Sequence, residues 1–142
     1  MRKIVVLILL ISNICLSQTG EQRISFRKIT GKIIDESGKG YPGQNVMIKG
    51  TNIGTQTDLN GNFCLVAPNN KSIFLEFSFC FEPILREIKP SENKIEIQIG
   101  KGKRKSKKAY ENWNNKKEKL SEELEDIYKS VEYNNLKNFI CS

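Results

Sequence analysis

The sequence predicts an all-β fold of seven strands in a two-sheet sandwich, followed by a C-terminal amphipathic α-helix. Three observations support this prediction. Between residues 29 and 99, short runs rich in β-branched and aromatic side chains alternate with Gly, Asn, Asp and Pro clusters. Within several runs, apolar side chains recur at every second position. After Gly100, a lysine-rich stretch leads into apolar residues at helical spacing.

The N-terminus has the pattern of a secretory signal. A basic start precedes an apolar run from Ile4 to Leu16, which is shorter than the ~20 residues that a membrane-spanning helix needs. Small residues suit cleavage before Gln18, and the triplet before Cys15 lacks the lipoprotein pattern. We therefore expect a signal peptide over 1–17, a leader over 18–26, and export to the periplasm, the outer membrane or the cell surface.

Residues 27–100 are predicted to form the sandwich. The first strand runs from Lys28 to Asp35, and Asn60-Gly61 has the composition of a two-residue type I′ hairpin turn. The strongest apolar run, Ser72 to Phe81, includes the outward-facing Phe74 and is therefore predicted to be a central strand covered on both faces for part of its length. Pro83–Ile88 and Lys94–Ile99 supply the last two strands. The predicted core comprises Val46, Ile48, Phe63, Leu65, Leu75, Phe77 and Phe79.

A set of glycine and turn residues carries a family resemblance. The matching positions are Gly31, Asp35, Gly38, Pro42-Gly43, Asn45-Val46, Lys49-Gly50-Thr51, Gly54-Thr55, Thr57-Asp58, Gly61 and Phe63-x-Leu65. In these positions the sequence resembles the carboxypeptidase regulatory-like domain. That domain is a small transthyretin-like β-sandwich of Bacteroidota envelope proteins, often found ahead of TonB-dependent receptor barrels.

The resemblance implies an accessory or interaction role, often alongside outer-membrane nutrient transport, and no peptidase activity. Cys80 departs from the family pattern because it stands where the family usually has a glycine. We assign structural turn roles to Gly31, Asp35, Pro42, Gly43, Gly50, Gly54, Asp58, Asn60 and Gly61.

Three cysteines remain after signal cleavage: Cys64, Cys80 and Cys141. An odd number permits at most one internal disulfide. If the strand of Cys64 pairs directly with the strand of Cys80 across a turn at 67–71, the two lie about 20 Å apart at ~3.3 Å per residue, which is too far for a bond. We therefore expect Cys64 and Cys80 to be buried and reduced.

The tail carries most of the positive charge. Residues 18–100 hold ten basic and nine acidic side chains, whereas residues 101–142 hold eleven and seven. We predict a basic linker over 101–108 and a helical tail over 109–142, whose apolar stripe docks on the sandwich, pairs with another chain or stays partly ordered. The candidate partner-contact residues are Trp113, Leu120, Leu124, Ile127 and Val131.

No catalytic constellation is present, because the chain has no histidine and so cannot form a Ser-His-Asp triad, a Cys-His pair or the common zinc sites. Asp58, Asn60 and Asn62 resemble a calcium loop, but the following residues to Asn70 lack the acidic ligand that such a loop needs, so a turn explains them better. We expect no enzyme activity, no cofactor and no metal site.

The sequence favours a non-catalytic exported interaction module of the envelope. The expected partner is an envelope protein, contacted through the C-terminal helix or a sheet face. One alternative is a carbohydrate-binding or adhesion domain, and another is a membrane-surface protein attached to anionic envelope lipid or glycan through its cationic tail. Nucleic acid is disfavoured because of export and because no aromatic residue interrupts 101–108.

Overall fold

The structure is a computed structural model and describes residues 23–78 and 83–141. The predicted signal peptide, Phe79, Cys80 and Phe81 lie outside the described residues. The strands are β1 (Phe26–Ile34), β2 (Asn45–Ile48), β3 (Gly54–Gln56), β4 (Asn62–Pro68), β5 (Ile73–Phe77), β6 (Ile84–Ile88) and β7 (Lys94–Gln98). The helices are α1 (Lys103–Asn114), α2 (Lys117–Lys129) and α3 (Val131–Ile140).

Two sheets form the sandwich that the sequence predicted. The first has the strand order β4-β1-β7, and the second has the order β3-β2-β5-β6. The description "all-β with one helix" was too simple, since the described tail forms three helices. The predicted linker over 101–108 was also wrong for most of its length, because α1 begins at Lys103.

Strand β1 is the centre of the first sheet. It pairs antiparallel with β4 and parallel with β7, and Ile29 and Ile33 on its inner face are fully buried. Gly31 lies between them inside the strand and not in the predicted turn. A side chain there would overlap the Phe63 ring, so glycine provides the space that this ring occupies.

The connection from β4 to β5 passes from one sheet to the other. Strand β4 pairs with β1, whereas β5 pairs with β2 and β6. The direct pairing of these two strands, on which the expected separation of Cys64 and Cys80 depended, is therefore wrong. Arg27 holds this crossing in place, because its buried guanidinium donates to the carbonyls of Pro68 and, at 3.5 Å, Lys71.

The Asn60-Gly61 turn also differs from the prediction. Strands β3 and β4 belong to different sheets, so this turn does not close a two-residue hairpin. Gly61 donates to the Asp58 carbonyl at 3.0 Å and has φ of 79°. No described residue other than glycine has positive φ, which excludes the type I′ geometry at Asn60.

The second sheet is covered on both faces, as the apolar residues of β5 predicted. Leu75 and Phe77 face the sandwich core, while Phe74 packs on the opposite side against Trp113 and Ala109 of α1. The indole and the Phe74 ring meet edge to face with centroids 5.4 Å apart. The domain thus has three layers, with α1 as the third.

The last two helices cover the β4 side of the first sheet. Leu124 and Tyr128 of α2 and Tyr133 of α3 belong to the main hydrophobic cluster. Cys141 at the end of α3 forms a disulfide with Cys64 on β4, with Cα atoms 5.6 Å apart. The expectation that Cys64 is reduced was therefore wrong.

Candidate interaction surface

Two aspartates with access to solvent are engaged in turns. The Asp35 carboxylate accepts hydrogen bonds from the Ser37 hydroxyl and the Lys39 N–H, and the Ser37 bond is the main cause of its lowered pKa. The Asp58 carboxylate accepts from the N–H groups of Asn60 and Asn62 at 2.8 Å, and the Asn62 bond chiefly lowers its pKa. Both groups therefore stay ionised and shape loops.

The other predicted turn residues also lie at loops or strand ends, apart from Gly31. Gly43 and Gly50 have φ of 69° and 83°, a region that side-chain-bearing residues rarely adopt. Pro42 lies in an exposed turn and Gly54 is the first residue of β3.

The structure places the described members of the predicted core inside the sandwich. Phe63 is 5% exposed and meets Phe77 edge to face with ring centroids 6.0 Å apart. The remaining described members are likewise buried: Val46, Ile48, Leu65 and Leu75.

The predicted partner-contact residues are mostly turned inward. Trp113, Leu124 and Ile127 are buried. Leu120 is half-buried against the core, whereas Val131 is 71% exposed. The apolar stripe of the tail therefore docks on its own sandwich, and the expectation that these buried side chains contact a partner was wrong.

Helix α1 is fixed to the sheet by polar bonds as well as by apolar packing. The Ser106 hydroxyl accepts the Leu85 N–H at 3.0 Å, and Asn112 donates to the Glu87 carboxylate at 2.7 Å. On the neighbouring loop, Gly50 allows close approach, because a Cβ there would lie 2.6 Å from the Trp113 ring. These contacts give α1 a defined orientation on the sheet.

The outward face of α1 is cationic. Arg104, Lys107 and Lys108 follow the spacing i, i+3, i+4 and are exposed. Ala109 and Trp113, which face the sheet, lie on the opposite side of the helix. We call Arg104, Lys107 and Lys108 the cationic face. Sequence reasoning identified the basic run but not its helical arrangement.

A groove of about 380 Å³ separates the β2–β3 loop from α2. Its lining residues are Gly50, Thr51, Asn52, Ile53, Glu125, Tyr128 and Lys129. Several of its polar groups are already paired: Glu125 with Lys129 at 2.5 Å, and the Tyr128 hydroxyl with the Val66 carbonyl at 3.0 Å. These pairings engage the two charged side chains and the phenol hydroxyl of the lining within the protein.

Among the described residues, neither a metal-binding cluster nor a membrane-spanning helix is present. Within residues 23–78 and 83–141, no group of three or more His, Cys, Asp or Glu side chains is arranged to hold a metal ion. In the same part of the chain, no helix has both the length and the apolarity needed to cross a bilayer.

Sequence reasoning missed several buried polar groups, among them those of Arg27 and Tyr128. Arg27 is 8% exposed, and desolvation lowers its pKa. The Tyr128 hydroxyl is also buried, and desolvation raises its pKa. The available signal for Arg27 was its position two residues before Ile29, on the same inner face of β1.

Comparison with known proteins identifies the sandwich. A family model described as the CarboxypepD_reg-like domain matches residues 29–115, which is more than half of the chain. The match extends past the predicted end of the sandwich at residue 100 and includes all of α1. A comparison with curated proteins finds no match.

Proposed function

We propose, because the chain belongs to the CarboxypepD_reg-like domain family, that it is a non-catalytic binding module exported to the cell envelope. In this role it holds a partner on its surface and is accessory to outer-membrane nutrient uptake. The family membership supports a β-sandwich module, and the N-terminal signal pattern supports export.

The observation that carries the proposal is the division of the tail into two faces. Apolar side chains such as Trp113 and Leu124 cover the sandwich, whereas Arg104, Lys107 and Lys108 face outward. A helix held by its apolar face presents its charged face in a fixed orientation, which lowers the entropy that a binding surface must lose.

The carbohydrate-binding alternative is not favoured by the described residues. Sugar-binding sheets present aromatic rings to solvent, but Phe63, Phe74 and Phe77 are buried. The most exposed described aromatics, Tyr41 and Phe139, lie in a loop and on α3 rather than on a sheet face.

Export is tested with a reporter enzyme that becomes active only outside the cytoplasm. Residues 1–26 fused to such a reporter should give activity, and N-terminal sequencing of the secreted full chain should begin at Gln18. The matched control replaces Leu7 and Leu9 by Arg, which abolishes the apolar run that export requires. Activity that is equal with and without this replacement would contradict the proposed export.

Binding is tested with the intact chain of residues 18–142, because deletion of the tail would remove core residues and the disulfide partner of Cys64. The immobilised chain should retain an outer-membrane protein from an envelope extract. An unrelated β-sandwich of equal net charge is the control bait. Recovery of the same proteins on both baits would refute a specific binding role, and turnover of a substrate by the purified chain would refute the non-catalytic assignment.

A further inference from the structure

The positive charge of this chain is concentrated in one short segment. Residues 101–119 contain nine basic and two acidic side chains. Their net charge of +7 equals that of the whole sequence. Without the predicted signal peptide, the rest of the chain, residues 18–100 and 120–142, holds twelve basic and fourteen acidic side chains and so has a net charge of −2. A weakly acidic body with one strongly cationic edge attracts polyanions in a preferred orientation.

The cationic face is well suited to a flat, charged partner. Arg104, Lys107 and Lys108 lie on the exposed outer side of α1, opposite the side chains that pack on the second sheet. Their immediate neighbours on this side, Glu111 and Asn114, are also exposed, and the Glu111 carboxylate offsets one of the three positive charges, so this side of α1 keeps a net charge of +2. The face therefore lacks the aromatic or aliphatic anchors that dominate most protein–protein interfaces. Its role in the proposed function is to attach the module to the envelope, while the protein partner is held elsewhere on the module.

We propose that this face binds the phosphate-bearing headgroups of an anionic lipid surface. The inference rests on the proposed envelope function and specifies its attachment. Lysine and arginine near an anionic bilayer each contribute favourably, and the contribution requires no pocket and no fixed register. The arrangement orients the molecule with α1 against the membrane and the first sheet directed away from it.

A nucleic-acid partner fits the same charges less well. Non-specific binding of single strands normally combines cations with exposed aromatic rings on which bases stack. On α1 the two aromatic residues are used by the sandwich: Trp113 packs on Phe74, and Lys49 lies 5.7 Å from the Tyr110 ring centroid. The cationic face thus offers charge without a stacking platform.

The test measures sedimentation of the chain of residues 18–142 with lipid vesicles. One set of vesicles is zwitterionic phosphatidylcholine alone, and the other contains equal parts of phosphatidylcholine and phosphatidylglycerol. The face variant carries Arg104→Gln, Lys107→Gln and Lys108→Gln. The matched control carries Lys28→Gln, Lys39→Gln and Lys94→Gln, which removes the same charge from exposed sandwich positions. Circular dichroism melting curves establish that both variants are folded.

The wild-type chain should bind only the anionic vesicles and should be released by high salt. The face variant should bind about 100-fold more weakly, since each lysine or arginine near an anionic surface contributes about fivefold. The control variant should bind within about threefold of wild type, because its replaced residues lie on the sandwich and not on α1. Each of these results supports the proposal.

Four results would overturn it: no binding to the anionic vesicles, binding to zwitterionic vesicles as well, equal losses in both variants, or tighter binding of a single-stranded oligonucleotide than of anionic vesicles at the same salt. Because the vesicles contain no protein, a failure to bind them would refute the lipid contact and would not bear on the binding of an envelope protein. Failure of the proposed function would appear separately, in the export reporter and in the envelope capture experiment.

Discussion

The disulfide between Cys64 and Cys141 gives the most quantitative prediction. It joins β4 to the end of α3 across a sequence separation of 77 residues. Replacing both cysteines by serine should destabilise the fold chiefly by freeing the unfolded chain. For a closed loop of this length, the chain-entropy relation gives about 4.5 kcal/mol at 25 °C. That loss is a large part of the 5 to 15 kcal/mol by which domains are typically stable.

The assay is urea unfolding followed by circular dichroism on residues 18–142. Both the disulfide-intact chain and the Cys64→Ser, Cys141→Ser variant carry Cys80→Ser, so that no third thiol exchanges with the bond. Removing the cross-link also expands the denatured state and raises the m-value. The comparison must therefore use extrapolated free energies of unfolding and not midpoints alone.

A loss below about 1 kcal/mol would refute the reasoning, because it would mean that the bond does not restrain the unfolded chain as the loop length requires. Peptide mapping of the non-reduced protein gives an independent check. It should recover the Cys64 and Cys141 peptides as a linked pair. Recovery of a linked pair containing Cys80 instead would contradict the observed connectivity.

Three further predictions concern the sandwich and its turns. Phe63→Ala should cost ~3 to 5 kcal/mol in chemical unfolding through lost burial and a cavity, and a loss below about 1 kcal/mol would place the ring outside the core. Gly50→Ala should lower the free energy of unfolding more than Gly38→Ala does. Both glycines have positive φ, but only at Gly50 would the added Cβ meet a side chain of α1; equal losses of stability would show that this crowding has no effect. Because the pKa values of Asp35 and Asp58 are lowered in the fold, their stabilising effect is present above the unfolded pKa of about 3.9 and is lost as pH falls through the folded pKa values. Melting curves from pH 5 to about 2 should therefore show a smaller acid loss in the Asp35→Asn, Asp58→Asn variant, and identical curves would contradict this.

The strands were predictable because their burial pattern is encoded locally. Period-two alternation located the buried Val46 and Ile48 of β2 and the buried Phe63 and Leu65 of β4, and the outward Phe74 signalled a second covering layer on β5. Asp58 was also predictable, because short polar side chains bond to nearby backbone N–H groups whatever the tertiary context. Each of these inferences used residues within one element or one turn.

The pairing of distant elements was not predictable in the same way. An Asn60-Gly61 dipeptide favours a hairpin locally, but the two strands that flank it belong to different sheets. Sheet membership depends on contacts far apart in sequence, which turn propensities do not report. The same limit applied to Cys64: the odd cysteine count allowed one internal bond, and only the path of α3 determined Cys141 as its partner.

The tail shows why the interaction surface was harder to predict than the fold. An apolar stripe at helical spacing has the same pattern whether it packs on its own sandwich or on another chain, so Leu124 and Ile127 were compatible with both.

The two helices after α1 lie beyond the family match and contact the sandwich at β4. The match ends at residue 115, and beyond it Tyr128 and Cys141 bond to Val66 and Cys64 on β4, the edge strand of the first sheet. An uncovered edge strand can pair with other chains. Because these two bonds tie the final two helices to β4, we expect the helices to hinder such pairing, whereas the exposed charges of α1 point away from the sandwich.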